Sequence, residues 1–398
     1  MKIYLVGGAV RDQLLGIPIL ERDWVVVGAT PAQMTALGYK QVGKDFPVFL
    51  HPETKEEYAL ARTERKTGPG YYGFITDFSD QVTLEMDLSR RDLTINAMAI
   101  SDAVEFIDPY HGKDDLDARL LRHVSPAFVE DPVRVLRVAR FAARFAKWGF
   151  HLAHSTHQLM KKMVESGEVD HLVPERVWVE TLKALHTHNP EKFFKTLHAS
   201  GALEAVYPEL SPLFGPHQSH QSLAEGELPD ALAILGRATT LFDDPALRLV
   251  SLLQCLAMEN NKLEPDAGAK TLARLARRIR MPKEISQLAT LAIRYREVYL
   301  ALDAQTSAEK RLTLLENVDC FRRKDRFQNL LQVWESNDRT SPADPVPAAT
   351  LILQKDANAL ENLAVQSLLD QGLAGQDFAD ELRKLRLEKL NENEVNQQ

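Results

Sequence analysis

Apolar residues along this chain follow two different spacings. Over roughly the first hundred positions they come in short runs bounded by glycine, proline or charge: Lys2 to Val6 ending in Gly7-Gly8, Asp23 to Val27 with a β-branched centre, Pro47 to Leu50, and Glu57 to Arg62. Each run has the length of a strand. Pro31 to Leu37 predicts a short helix between the second and third runs, with Thr30 placed to cap it and Pro31 in its first turn. Most connections are too short for crossover helices, so this order predicts an α+β head with a mostly antiparallel sheet. From Asp131 the spacing changes to three and four, over Val133 to Ala146, Ser155 to Val164, Pro174 to His186 and Pro190 to Ala199, which predicts successive helices. Prolines between Pro208 and Pro229 mark an irregular stretch, helices resume near Ala231, Ser341 to Pro347 has the make-up of a linker, and Asn391 to Gln398 is expected to fray. The chain thus divides into a mixed head over residues 1–125, a helical neck over 126–210, and a helical body and tail over 211–398.

Composition narrows the class. With 398 residues, 44% hydrophobic and 26% charged, the chain is built like a globular protein, which excludes collagen, low complexity and wholesale disorder. Cys255 and Cys320 cannot build a disulfide framework and lack a zinc-binding spacing, so a reducing cytoplasm is the expected location. The opening residues hold too few apolar positions for a signal peptide, and no apolar stretch approaches the about 18 residues of a membrane span, so no membrane is expected.

The formal charge of −8 is unevenly spread. Thr340 to Gln398 carries ten acidic and five basic residues, whereas Arg119 to Trp148 carries seven basic residues against Glu130 and Asp131. Further basic clusters are Lys270, Arg274, Arg277, Arg278, Arg280 and Lys283, and then Arg322, Arg323, Lys324 and Arg326. Such faces can track a phosphate backbone on an acidic chain, and they read equally well as solvated helix faces.

The chemistry is concentrated near the start. A strand ending in Gly7-Gly8 leaves backbone N–H groups that can meet an anion, and Arg11 can add charge-assisted bonds to phosphates. Glu21 and Asp23, two apart at the next strand, would share a face and could hold a divalent cation; hard oxygen ligands open to substrate phosphates suit magnesium. Together these describe a nucleotidyl-transfer site. Further on, Arg134, Arg137, Arg140 and Arg144 form one basic stripe on a helix that starts at Glu130-Asp131-Pro132.

These residues resemble the polymerase-β-type nucleotidyltransferases, and the run to about residue 210 is similar to the class II tRNA nucleotidyltransferases, the bacterial CCA-adding enzymes and their poly(A) polymerase relatives. Ser89 to Ala99 with Arg90-Arg91-Asp92, Asp108-Pro109-Tyr110 with Asp115 and Arg122, Glu130 to Phe141, and Pro174-Glu175-Arg176-Val177 match the family's later motifs in order. The resemblance implies a polymerase-β-type head, addition and repair of the 3′-terminal CCA of tRNA from CTP and ATP, and a helical C-terminal part that grips tRNA. It implies Gly8 and Arg11 on the triphosphate, Glu21 and Asp23 as catalytic metal ligands for Mg2+, Arg91 on ribose or phosphates, Arg137 and Arg140 on the nucleotide, and Asp131 with Arg134 as the template that selects the base. A poly(A) polymerase, a partial CC- or A-adding enzyme, or an RNA-binding protein on a decayed scaffold are the alternatives, and a monomer is expected. A mobile loop over Thr63 to Gly73 would take part in switching from C to A. Two departures stand out: Glu21 replaces the family's usual aspartate, and no His-Asp dipeptide of a phosphohydrolase domain occurs, the chain reading Gln254-Cys255 where one might be expected. His217 and His220 are too isolated to suggest a metal site.

Overall fold

The computed structural model describes every residue except 43–47, 67–73, 215–230, 260–261, 362, 364–373 and 396–398. The chain folds as two compact units, Met1–Ser211 and Pro212–Gln398.

The first unit is built on a seven-stranded sheet. Its strands are β1 (Lys2–Val6), β2 (Asp23–Val27), β3 (Lys40–Gln41), β4 (Val48–Leu50), β5 (Glu57–Leu60), β8 (Ala99–Ser101) and β9 (Phe106–Ile107), in the order β3-β4-β5-β2-β1-β8-β9. All neighbours are antiparallel except β2 and β5, as the short connections predicted. Alternation sets the two faces: Tyr4, Val6 and Val25 enter one core with Leu88 and Ala99, while Val26 enters another with Met34, Phe49 and Leu60. Met34 belongs to α2 (Pro31–Ala36), where Thr30 and Gln33 form a capping box.

A helix that the apolar spacing did not suggest, α1 (Gly8–Leu14), follows β1 directly. Thr63 to Lys66, read above as part of a loop, is instead a strand, β6 (Thr63–Lys66), paired with β7 (Phe74–Asp77); residues 67–73 of that segment lie outside the described residues. Behind the sheet come α3 (Leu84–Ser89), a 3-10 turn Thr94–Asn96 and α4 (Gly112–Asp117). The helices that follow are α5 (Val133–Phe145), α6 (His154–Glu165), α7 (Pro174–Leu185), α8 (Glu191–Ala199) and α9 (Ala202–Val206), with the two-residue strands β10 (Leu120–Leu121) and β11 (His151–Leu152) pairing beside them. The second unit contains α10 (Ala231–Leu241), α11 (Pro245–Leu253), α12 (Pro265–Arg278), α13 (Lys283–Leu300), α14 (Ala308–Asn317), α15 (Lys324–Glu335) and α16 (Ala348–Glu361). A last helix, Gly375–Val395, continues through residues expected to fray. No helix among the described residues is long and apolar enough to cross a membrane. Cys255 and Cys320 are buried free thiols.

Candidate active site

Strand register puts the first two motifs in one place. In the β1–β2 ladder Asp23 pairs with Val6, so its carboxylate stands beside the turn that leads into α1. Gly7 makes that turn with φ at +69°, in the left-handed region that favours glycine. A Cβ there would lie 2.7 Å from Nη1 of Arg91, so glycine also makes room for that guanidinium.

Arg91 joins the parts. Its Nη2 donates to Asp87 at 3.2 Å, and its charge reaches Asp23. Desolvation pushes the Asp23 carboxyl above the usual carboxylate range, Arg91 opposes this, and the charge of Glu21 reinforces it. Glu21 precedes β2 rather than lying on it, so strand alternation is not what brings the two carboxylates together; they are nonetheless close enough to repel. Both are open to solvent, and neither accepts a hydrogen bond among the described residues. Two mutually repelling, accessible oxygen-donor groups suit a divalent cation, which relieves the repulsion. No cluster of three or more His, Cys, Asp or Glu that could hold a metal occurs among the described residues, so protein ligands beyond this pair are not supplied there.

The neighbours of Arg91 face inward. Arg90 donates to Asp87 at 2.6 Å and to the Arg62 carbonyl at 2.9 Å. Asp92 accepts from Arg137 Nε at 2.7 Å and from Asn96 at 2.9 Å. Burial alone would raise the Asp92 carboxyl, but Arg137 and Asn96 hold it well below the usual range. Of the Arg-Arg-Asp element, only Arg91 therefore lies against the glycine turn.

Along α5, Arg134 and Arg140 are buried, whereas Arg137 and Arg144 are part-exposed and ion-paired. Arg134, 6% exposed, donates from Nη1 to the Ala127 carbonyl at 2.7 Å and from Nη2 to the Arg90 carbonyl at 2.5 Å. That second bond ties the base-selecting candidate to the residue next to Arg91. Asp131 sits just before the helix, where Val133 N–H donates to it at 3.1 Å and Arg176 of α7 clamps both its oxygens at 3.0 and 2.8 Å. Arg140 is buried against Glu180 at 2.5 Å, with its guanidinium over the Phe141 ring.

Arg11 is buried beside Gly8, where an added Cβ would lie 3.4 Å from its Nη2. It is 2% exposed, sits over the rings of Phe145 and Phe141 with centroids at 4.9 and 5.6 Å, and donates to Asp12 and Asn96. It braces the helix behind the glycine turn. Sequence reasoning assigned no role to Asp12, Asn96 or Glu180, although the first two stand inside the motifs already singled out. His217 and His220 lie outside the described residues.

Residues 3–122 match the poly(A) polymerase head domain, and residues 149–214 match a probable RNA- and SrmB-binding site of polymerase A. The chain is 46% identical to a multifunctional CCA protein of Legionella pneumophila strain Paris, across 97% of this chain and 96% of that protein. It is 47% identical to a protein of the same name from Thioalkalivibrio sulfidiphilus, across 98% of each. Among solved structures it resembles a CCA-adding enzyme complexed with CTP, with TM-score 0.68 and 21% identity over 100% of this chain and 88% of that one. A Thermotoga maritima CCA-adding enzyme complexed with tRNA is similar at TM-score 0.64 and 20% identity, covering 98% and 87%.

Proposed function

The chain belongs to the multifunctional CCA protein family, and from that membership together with the site we propose that it adds and repairs the 3′-terminal CCA of tRNA. CTP and ATP are the nucleotide substrates, and the RNA 3′ hydroxyl attacks the nucleotide α-phosphate, releasing pyrophosphate. The observation that carries this is the register of β1 on β2, which stands Asp23 beside Gly7 with Arg91 packed on the same turn.

The turn at Gly8 and the guanidinium of Arg91 receive the triphosphate and ribose, and Arg11 supports that turn from behind. Glu21 and Asp23 hold a divalent metal, magnesium in this proposal; bound there, it would activate the attacking hydroxyl and stabilise charge on the departing pyrophosphate. Asp131 accepts from the exocyclic amine that cytosine and adenine share, and Arg134 donates to the ring nitrogen or carbonyl beside it. The clamps from Arg176 and from two backbone carbonyls fix both groups before a nucleotide arrives, so orientation need not be set at the moment of reaction. Arg137 and Arg140 act on the nucleotide by holding α5 in place through Asp92 and Glu180. A cytoplasmic location follows from a tRNA substrate.

Asp23→Ala tests the metal assignment. Nucleotide incorporation should fall below about one-thousandth of the parent, while tRNA binding is retained and the melting temperature does not fall, because an exposed carboxylate contributes little to packing. Near-parental incorporation would contradict it.

A further inference from the structure

Six side chains form a continuous hydrogen-bonded chain that leaves α5 and returns to it two turns later. Arg137 donates to Asp92 at 2.7 Å, and Asp92 accepts from Asn96 at 2.9 Å. The other end of the Asn96 amide accepts from Arg11 Nη1. Arg11 donates through Nε and Nη2 to one oxygen of Asp12 at 2.8 and 2.7 Å. Arg144 closes the chain by donating to the other oxygen of Asp12 at 3.0 Å. Charged donors and acceptors alternate along it, with the Asn96 amide turning one into the next.

Five of its members come from three elements, and Asp92 precedes the 3-10 turn. Arg11 and Asp12 lie on α1, immediately after the glycine turn; Asn96 lies on the 3-10 turn; Arg137 and Arg144 lie seven residues apart on one face of α5. Phe141 and Phe145 fill the space inside, stacked with centroids 5.9 Å apart and covered by the Arg11 guanidinium. A single contact would let α5 pivot, whereas two, separated by two helical turns, fix both its position and its direction. The first turn of this helix carries Arg134, with Asp131 just before it.

We propose that Asp12, Asn96 and Arg144 are positioning residues that set the register between the triphosphate-binding turn and the base-reading end of α5, and so determine base selectivity without touching the nucleotide. This rests on the assignment of Asp131 and Arg134 to the base. Correct and incorrect nucleotides present the same triphosphate, so they differ only at the end that α5 aligns. Loosening the alignment penalises the correct base, which loses its match, more than the incorrect one, which had none.

Arg144 suits the test because its side chain is 38% exposed and its removal leaves no cavity in the core. In Arg144→Gln the ratio of kcat/KM for CTP over UTP, measured on a tRNA ending before CCA, should fall about tenfold, since small misplacements act steeply on a preorganised site. The KM for CTP should change far less. Asp12→Asn should lower the ratio at least as far, because it also weakens the contact with Arg11, and adding Arg144→Gln to it should bring no further loss, because the link between the two residues is then already broken. A CTP over UTP ratio within about twofold of the parent in Arg144→Gln would overturn the inference, as would additive losses in the double variant. Arg134→Ala, run alongside, separates the two ideas. If it erodes the ratio and Arg144→Gln does not, only the positioning role fails; if it leaves the ratio intact, the base-selection assignment fails and takes the positioning role with it.

Discussion

At the residue scale the site carries a conflict between function and stability at Asp23. Its raised carboxyl means that the folded protein binds that proton more tightly than the unfolded chain does, so stability is lost as pH rises from the ordinary carboxylate value through the folded one, and the cost is complete above it. Below the ordinary carboxylate range both states are protonated and the cost disappears. Asp23→Asn should therefore melt at a higher temperature than the parent at pH 7.5 without added metal, and the gain should shrink towards zero near pH 4; an equal gain at both pH values would point to packing instead. Gly7→Ala should behave in the opposite way. Its φ of +69° costs an alanine about 1–2 kcal/mol, and the methyl must displace Arg91, so melting temperature and nucleotide affinity fall together; parental values for both would show that the turn tolerates a side chain. The sequence made Gly7, Glu21, Asp23 and Arg91 visible, because glycine pairs and charged groups in short spacings carry chemistry locally. It could not show that Arg11 is buried. That depends on which side of a seven-residue helix meets Phe141 and Phe145, more than a hundred residues away.

At the scale of elements, α5 does most of the organising. Its apolar residues and its arginines were both legible at helical spacing, yet a row of arginines on one face ordinarily implies solvent. Here each meets an acceptor: Arg134 a backbone carbonyl, Arg137 Asp92, Arg140 Glu180 and Arg144 Asp12. None of these partners could be paired with its arginine from the sequence, because the separations run from 40 to 132 residues. Helix α7 contributes the clamp on Asp131, which gives a test of preorganisation. Arg176→Ala frees the carboxylate to rotate and should cost about 2 kcal/mol of discrimination between CTP and UTP, with little change in melting temperature. Unchanged discrimination would mean that Asp131 is held well enough by the Val133 N–H alone. Among the strands, the β6–β7 hairpin went unrecognised because Thr63-Glu64-Arg65-Lys66 has almost no apolar alternation to reveal it.

At the scale of the whole molecule, the second unit offers two features with consequences. On α12, Arg274 and Arg277 are exposed, and if that face tracks the tRNA backbone, replacing both with Gln should raise the KM for tRNA and lower the slope of log affinity against log salt by about 2. An unaltered slope would return them to the status of a solvated face. Where a His-Asp pair would have provided metal ligands, Gln254 is fully buried in an amide network, donating to the Val333 carbonyl and Ser336 and accepting from Asn337. Neutral amides packed in this way offer a cation no charge, so 2′,3′-cyclic phosphate hydrolysis dependent on nickel or manganese is not expected from the purified protein. Given a tRNA that ends before CCA, magnesium, CTP and ATP, the full-length protein should extend it by three nucleotides and stop, with CTP alone giving two. A ladder of many adenylates from ATP alone, or no extension at all, would contradict the account.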